Sequence, residues 1–260
     1  MAAVFDMYSA YYDLLYRDKD YPAEAEHIHQ LIQRYRPGAQ SILELGSGTG
    51  RHARLLAEKG YRVHGIERSP TMLAQARRHA AESACADRLT FEQRDIRAPG
   101  AAGRHDVVIS LFHVTRSLPE TPALHTPFAA VSRHLQGRGI FIFDCWYAPA
   151  VLSQGPEVRV KRMEDEQYRL VRVAEPVRLP RENKVIVNYD MFIERKADHH
   201  IQHFTEEHPM RYFSEPELAP LLAAAGQEIV ACEADLGLGT PPSAEHWGLT
   251  VVAQPRTDSK

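Results

Sequence analysis

The residues best suited to chemistry are Glu44-Leu45-Gly46-Ser47-Gly48-Thr49-Gly50-Arg51, three alternate glycines behind a carboxylate. Ile42 to Leu45 read as a buried strand, and the residues after Gly50 as a helix ending at Gly60. Backbone N–H groups of such a strand-to-helix turn line the crevice at the carboxyl edge of a sheet. Glycines admit a ligand where a Cβ would block it. A dinucleotide loop prefers G-x-G-x-x-G, a register that puts Arg51 on the third glycine. A Walker loop is excluded, because no Gly-Lys-Ser/Thr follows. Glu44 would repel a pyrophosphate and suits a ligand carrying an ammonium and a sulfonium. Glu67 closes the second predicted strand, where an acid about 20 residues beyond the glycines can take both ribose hydroxyls. Asp95 closes the third and can accept from an adenine amino group, with Ile96 packing on the ring. Each acid alone reads as a solvated turn carboxylate; three at consecutive strand ends form a constellation.

Those acids need a scaffold, and the chain supplies one. YRVHGIE, LTFEQRD, HDVVISLF and GIFIFDCW read as strands two to five. Between them lie TMLAQARRHA, opened by Ser69 as N-cap and Pro70 at N1, and FAAVSRHL, opened by Pro127. The alternation predicts a parallel sheet with right-handed crossovers. Upstream, a helix over 22–36 stops at Pro37-Gly38, after a stretch with Tyr8, Tyr11, Tyr12 and Tyr16 at near-helical spacing. The rhythm breaks after Trp146. From about 157 to 213 only strand periods remain, with Val185, Val187, Tyr189, Met191 and Ile193 on one face. VRVKRM, YRLVRVAEPVRL, HHIQHFTEE and PMRYF read as separate strands, giving an insert of three to five. Ser214 and Glu217 form a capping box for a helix closed by Gly226, and QEIVACEA and HWGLTVVAQ form an antiparallel hairpin. The expected fold is α/β, a Rossmann-like doubly wound seven-stranded mostly parallel sheet with an antiparallel β-insert. Residues 1–40 form a helical lid, 41–146 and 214–254 the core, and 147–213 the insert.

Other residues compete for a role. His113 follows the fourth strand and reads as a general base, a substrate-orienting group, or a histidine bonded to backbone. Tyr12, Tyr16 and Tyr21 can lay aromatic faces near a cation or simply pack a helix. Trp146 and Tyr147 wall an acceptor pocket or belong to the core. His199, His200, His203 and His208 suggest a metal, yet no cysteine or carboxylate completes a recognisable ligand set, so none is expected. Arg159, Lys161, Arg162, Arg169, Arg172 and Arg178 alternate with apolar residues; most belong on a solvated sheet face, and one or two could grip a diphosphate. Cys85, Cys145 and Cys232 read as free thiols. A net charge of −3 with no basic arm argues against nucleic acid. No apolar run approaches the ~18 residues of a membrane span, and the first residues lack a signal-peptide design, so a cytoplasmic protein is expected.

Residues 41–146 resemble the class I S-adenosylmethionine-dependent methyltransferases. The resemblance implies that Glu44, Gly46, Ser47, Gly48 and Gly50 flank the methionine part of the cofactor, that Glu67 holds the ribose, and that Asp95 and Ile96 hold the adenine. The expected cofactor set also takes in Tyr21, Arg51, His52, Arg68, Met72 and Leu111; Tyr12, Tyr16, Trp146 and Tyr147 are expected at the acceptor. YYDLLYRDKDYPAEAEHI, LELGSGTGRHARLLAEKGYRVHGIERSPTML and the segment after FIFDCWY are similar to N,N-dimethyltransferases of dTDP-linked amino sugars, and to methyltransferases of polysaccharide clusters. That family carries a β-rich insert at this point, which implies a substrate cover and a homodimer contact. A histidine of the amino-sugar enzymes falls on Ser117 here, while His113 stands where they have none. The implied reaction is methyl transfer from S-adenosylmethionine, leaving S-adenosylhomocysteine, to an amine or hydroxyl of a nucleotide-linked sugar. Another small amine, or a nicotinamide-dependent oxidation, is the alternative.

Overall fold

In the computed structural model of the chain, the described residues are 11–96, 103–112 and 121–256, the side chains of 121–127 excepted. His113 lies outside them. The elements are α1 (Tyr21–Tyr35), β1 (Ser41–Leu45), α2 (Arg51–Glu58), β2 (Arg62–Glu67), α3 (Pro70–Ala81), β3 (Leu89–Gln93), β4 (His105–Ser110), α4 (Thr121–His134) and β5 (Leu135–Tyr147). They continue with α5 (Ala148–Gln154), β6 (Arg159–Glu164), β7 (Tyr168–Leu179), β8 (Lys184–Arg195), β9 (His200–Phe213), α6 (Glu215–Ala224), β10 (Gln227–Ala234) and β11 (Gly248–Pro255).

The core sheet has the order β3-β2-β1-β4-β5-β11-β10. Its first five strands are parallel, and β11 runs antiparallel to β5 and β10. Alternate residues feed two cores. Ile42, Val63, Val107, Ile109 and Ile140 face α1 and α2, while Leu43, Leu45, Val108, Phe141 and Phe143 face α4 and α6. Each such fully buried side chain contributes about 1.5–3 kcal/mol relative to exposure. No helix among the described residues is long and apolar enough to cross a membrane.

The insert strands β6 to β9 pair antiparallel in sequence order. At its end β9 also pairs parallel with β5, Trp146 opposite Tyr212 and Tyr147 opposite Phe213, so core and insert form one continuous sheet. The alternation of Val185, Val187, Met191 and Ile193 is seen as buried positions, with Tyr189 half-buried among them.

Three local expectations are corrected. HHIQHFTEE and PMRYF form a single strand, β9, because Pro209 is accommodated opposite Ile186 without ending the ladder. α4 begins at Thr121, so Pro122, not Pro127, stands in the first turn where a missing N–H is harmless. Ser214 caps α6 without a side-chain hydrogen bond. The Glu217 carboxylate that would close the capping box is taken by Arg211 and by Asn183 Nδ2.

One buried carboxylate ties the amino edge of the sheet together. Asp106 accepts hydrogen bonds from the backbone N–H of Gln40 and Ser41, from Ser41 Oγ at 3.0 Å and from Gln136 Nε2 at 2.7 Å, and it pairs with Arg36. Burial alone would raise its pKa, but these donors outweigh it and hold the carboxyl at about 2. The folded value lies below the unfolded one, so this stabilisation is present above pH 4 and is lost as pH falls toward 2. Asp106→Asn should therefore lower stability at pH 7 by about 2 kcal/mol and flatten the acid limb between pH 4 and 2, read by urea denaturation at several pH values.

Candidate active site

The glycine turn sits between β1 and α2. Gly46, Gly48 and Gly50 all have positive φ, and Gly50 is the left-handed N-cap of α2. A Cβ at Gly50 would also stand 2.9 Å from the Phe91 ring. The N–H groups of Gly46 and Ser47 both donate to the Ile66 carbonyl, which binds the turn to the end of β2.

Glu67 completes that attachment. One carboxylate oxygen accepts from Gly48 N–H at 3.0 Å, the other from Ser69 N–H at 2.8 Å. Each oxygen keeps acceptor capacity, since a carboxylate has about four lone-pair sites. Glu44, one strand over, is 2% exposed, and its Oε2 has no hydrogen-bond partner among the described residues. Burial, reinforced by the negative Glu67, pushes its carboxyl up to about 8. Its other oxygen lies 3.8 Å from His52 Nδ1. Nε2 of that imidazole is 2.7 Å from Glu24, which also holds Lys19.

The remaining predicted residues fall around this edge. Met72 is buried on α3, its sulfur 3.9 Å from where a Cβ on Gly48 would be. Asp95 and Ile96 follow β3, and Ile96 packs against the cluster of Leu45 and Ile66. Leu111 is buried after β4. Tyr21 is buried with its ring 5.0 Å from the His52 ring, and burial raises its phenol pKa. Arg51 is committed to Asp13, its Nε 2.9 Å from Oδ1, and Arg68 is exposed. Trp146 and Tyr147 are split by strand alternation. Trp146 packs with Trp247 and Tyr189 over α5 and the insert, and Tyr147 with the α4–α6 core on the other face. The structure thus brings the glycine turn, Glu44, Glu67, Met72, Asp95 and Ile96 to one edge and turns Tyr147 away from Trp146.

Residues 11–16 bridge this edge and the insert. Leu15 is buried against Leu170, Met191 and Ile193, flanked by Tyr11, Tyr12 and Tyr16. Asp13 reaches the glycine turn: Thr49 Oγ1 and Arg51 Nε both donate to it at 2.9 Å, and His79 Nε2 lies 3.5 Å away. Tyr16 meets the Phe112 ring edge-on at 5.0 Å and Tyr12 meets it at 6.3 Å. Phe112 has φ 62, a strained value for a non-glycine residue, held by its N–H to Asp144 at 2.9 Å. Asp13, Phe112 and Asp144 were missed by sequence reasoning. A single aspartate among tyrosines carries no spacing signal, and nothing in the residue types marks a positive φ.

The histidine cluster dissolves into separate pairs. His199 takes Glu194 and His203 takes Asp190, both on the surface, while His208 takes Glu206 in the interior. Among the described residues no group of three side chains could hold a metal ion. Of the insert cations, Arg159, Arg162, Arg169 and Arg178 are exposed; Arg172 turns inward over the Tyr189 ring and donates to Tyr16 Oη.

Comparison with known proteins fits this geometry. Residues 42–139 match the family model described as methyltransferase domain. The chain is 27% identical to a dTDP-3-amino-3,4,6-trideoxy-alpha-D-glucopyranose N,N-dimethyltransferase of Streptomyces venezuelae, over 84% of this chain and 89% of that protein. Its structure resembles an S-adenosylmethionine-dependent methyltransferase from Clostridium acetobutylicum, with TM-score 0.80, 20% identity and coverage of 98% and 100%. It also resembles the sugar N-methyltransferase KedS8 from Streptoalloteichus, with TM-score 0.75, 26% identity and coverage of 93% and 92%. The fold is that of these S-adenosylmethionine-dependent methyltransferases of known structure.

The Asp13 contacts predict a measurable hold on the first described residues. Asp13→Ala should speed chymotryptic cleavage at Tyr11, Tyr12 and Tyr16 by about 10-fold, the equivalent of losing one charge-assisted hydrogen bond. An unchanged cleavage rate would mean that Leu15 and the tyrosines hold the segment by themselves.

Proposed function

We propose that this S-adenosylmethionine-dependent methyltransferase methylates the amino group of a nucleotide-linked sugar. The observation that carries the reading is the orphaned, buried Oε2 of Glu44 beside the glycine turn, at the edge where the insert and residues 11–16 also meet. A buried acceptor of this kind needs a donor, and an ammonium supplies one. The cofactor, when bound, supplies a methyl group on a sulfonium and leaves as S-adenosylhomocysteine. The residues present fit it. Glu44 faces the amino group of its methionine part, and the turn from Gly46 to Gly50 lets that part approach the backbone. Glu67 accepts from the ribose hydroxyls and Asp95 from the adenine amine, with Ile96 and Met72 against the rings. Tyr12, Tyr16 and Tyr21 exclude water and present π faces to positive charge.

The acceptor side follows from the insert. The sugar N,N-dimethyltransferase matched over most of this chain supports an amino-sugar substrate, and the matched length includes the insert. An amine needs only to be held unprotonated and aligned in a dry site, whereas a hydroxyl needs a base, for which His113 stands in sequence just after β4. Trp146 and Phe112 offer apolar walls to a sugar ring. A homodimer in the cytoplasm, without nucleic-acid or membrane partners, completes the reading. Exposed Val160, Val177, Phe192 and Ile201, all on the outer face of the insert sheet, are the surface offered to a second copy.

Incubation with S-adenosylmethionine and dTDP-3-amino-3,6-dideoxyglucose should give a sugar heavier by one or two methyl groups in mass spectrometry. Absence of methyl transfer to any amino sugar tried would overturn the acceptor. Glu67→Ala should weaken S-adenosylhomocysteine binding about 10-fold or more in calorimetry.

Glu44 adds a pH dependence. Its carboxyl is largely protonated in the empty site below about pH 8, and pairing with an ammonium requires it ionised, so binding expels a proton. Affinity for S-adenosylhomocysteine should rise as pH goes from 6 to 8, and Glu44→Gln should flatten that rise. A flat profile in the unmodified protein would remove Glu44 from the ammonium site.

A further inference from the structure

One face of β5 stops being apolar where it reaches the carboxyl edge of the sheet. Ile140 and Ile142 are fully buried in the core under α1 and α2, and the next residues on that face are Asp144 and Trp146. Asp144 is half-buried, and its Oδ2 accepts from the Phe112 N–H at 2.9 Å. Phe112 leaves the end of β4 with φ 62, a left-handed conformation that an aromatic residue keeps only where its surroundings hold it. Strand register puts this junction beside the glycine turn. Ile109 lies opposite Glu44 on β1, and Ser110 lies opposite Phe143 on β5.

The strained backbone sets the direction of the Phe112 ring. Tyr16 meets that ring edge-on at 5.0 Å and Tyr12 at 6.3 Å. Lys19 Nζ lies 4.5 Å from its centre and 4.8 Å from the centre of the Tyr21 ring. Tyr21 stands 5.0 Å from the His52 ring, and His52 Nδ1 lies 3.8 Å from Glu44. This run of contacts, together with the strand register, places the Phe112 ring at the edge that holds Glu44 and the glycine turn, under the residues that cross it. A return of Phe112 to an ordinary negative φ would redirect the ring and take away the surface on which Tyr12, Tyr16 and Lys19 rest.

From this geometry we infer that Asp144 is a positioning residue for methyl transfer. Its hydrogen bond holds Phe112 in the strained conformation, so that the ring stands as a wall of the acceptor site with Tyr12 and Tyr16 seated on it. The inference rests on the reading of Phe112 and Trp146 as walls for the acceptor. Asp144 acts through Phe112 and not on the acceptor itself. An apolar wall aligns a neutral amine without favouring its charged form, and alignment is what an in-line transfer needs. A charge-assisted hydrogen bond is the stronger kind, which suits a strained N–H. Asparagine at 144 would keep an oxygen acceptor in neutral form, and alanine would keep none.

The test compares Asp144→Ala and Asp144→Asn with the unmodified full chain. Asp144→Ala should speed amide hydrogen exchange at Phe112, read by NMR, and chymotryptic cleavage at Tyr12 and Tyr16, each about 10-fold. With S-adenosylmethionine and dTDP-3-amino-3,6-dideoxyglucose it should lower kcat about 10-fold or more, while S-adenosylhomocysteine affinity in calorimetry shifts by less than about 2-fold. Asp144→Asn should recover most of the kcat and most of the protection. Unchanged exchange and cleavage in Asp144→Ala would overturn the inference. So would equal losses in the two variants, or a cofactor affinity that falls in step with kcat, which is the mark of a merely structural role. If the unmodified enzyme binds S-adenosylhomocysteine but turns over no amino sugar, the acceptor reading fails by itself, and exchange and cleavage still decide whether Asp144 seats Phe112.

Discussion

The site depends on the bridge that Glu67 makes between two loops. Its two oxygens accept from Gly48 N–H and Ser69 N–H, so the glycine turn and the start of α3 are fixed to the end of β2 by one side chain. Close by, Glu44 is buried and is driven toward its neutral form partly by the charge on Glu67. Glu67 is engaged with backbone N–H groups, and Glu44, buried beside it, is shifted toward its protonated form. In the proposed reading, this arrangement suits a ligand that brings positive charge and ribose hydroxyls together.

Much of this was legible in the chain because the signals are local. Alternating strands and helices, a G-x-G-x-G turn and acids at strand ends each follow from backbone geometry over a few residues. The parallel core, the hairpin of β10 and β11 and the buried face of β8 were all readable on that basis. What escaped reading depends on partners distant in sequence. The Ser214 capping box fails because Arg211 and Asn183 compete for Glu217, and a four-residue pattern does not register those competitors. Trp146 and Tyr147 were expected at one pocket, although adjacent strand residues face opposite ways. In the sequence His208 is grouped with His199, His200 and His203, and Glu206 is given no role. Only the packing of β8, with Tyr189 against His208, shows that they are interior.

The insert is not a loose cover. Its inner face is occupied at one end by Trp146, Ala148 and Val151, and at the other by Leu15 and its neighbouring tyrosines. Its last strand joins the core ladder beside β5. Buried Tyr212 and Phe213 carry that junction, and the Arg211–Glu217 ion pair links it to α6. A continuous, hydrogen-bonded sheet of this kind fixes the insert's position on the core by backbone rather than by loop placement.

The N-terminal segment is different in kind. Residues 11–15 are helical and lie between core and insert. The segment is held through Leu15 and its flanking tyrosines in the insert and through Asp13 at the glycine turn, on two different parts of the fold. The contacts that hold this segment are made by side chains, whereas the insert joins the core through a strand pairing and a buried aromatic cluster. Since the same segment touches Phe112 on the core side and Arg172 on the insert side, it couples the positions of the two.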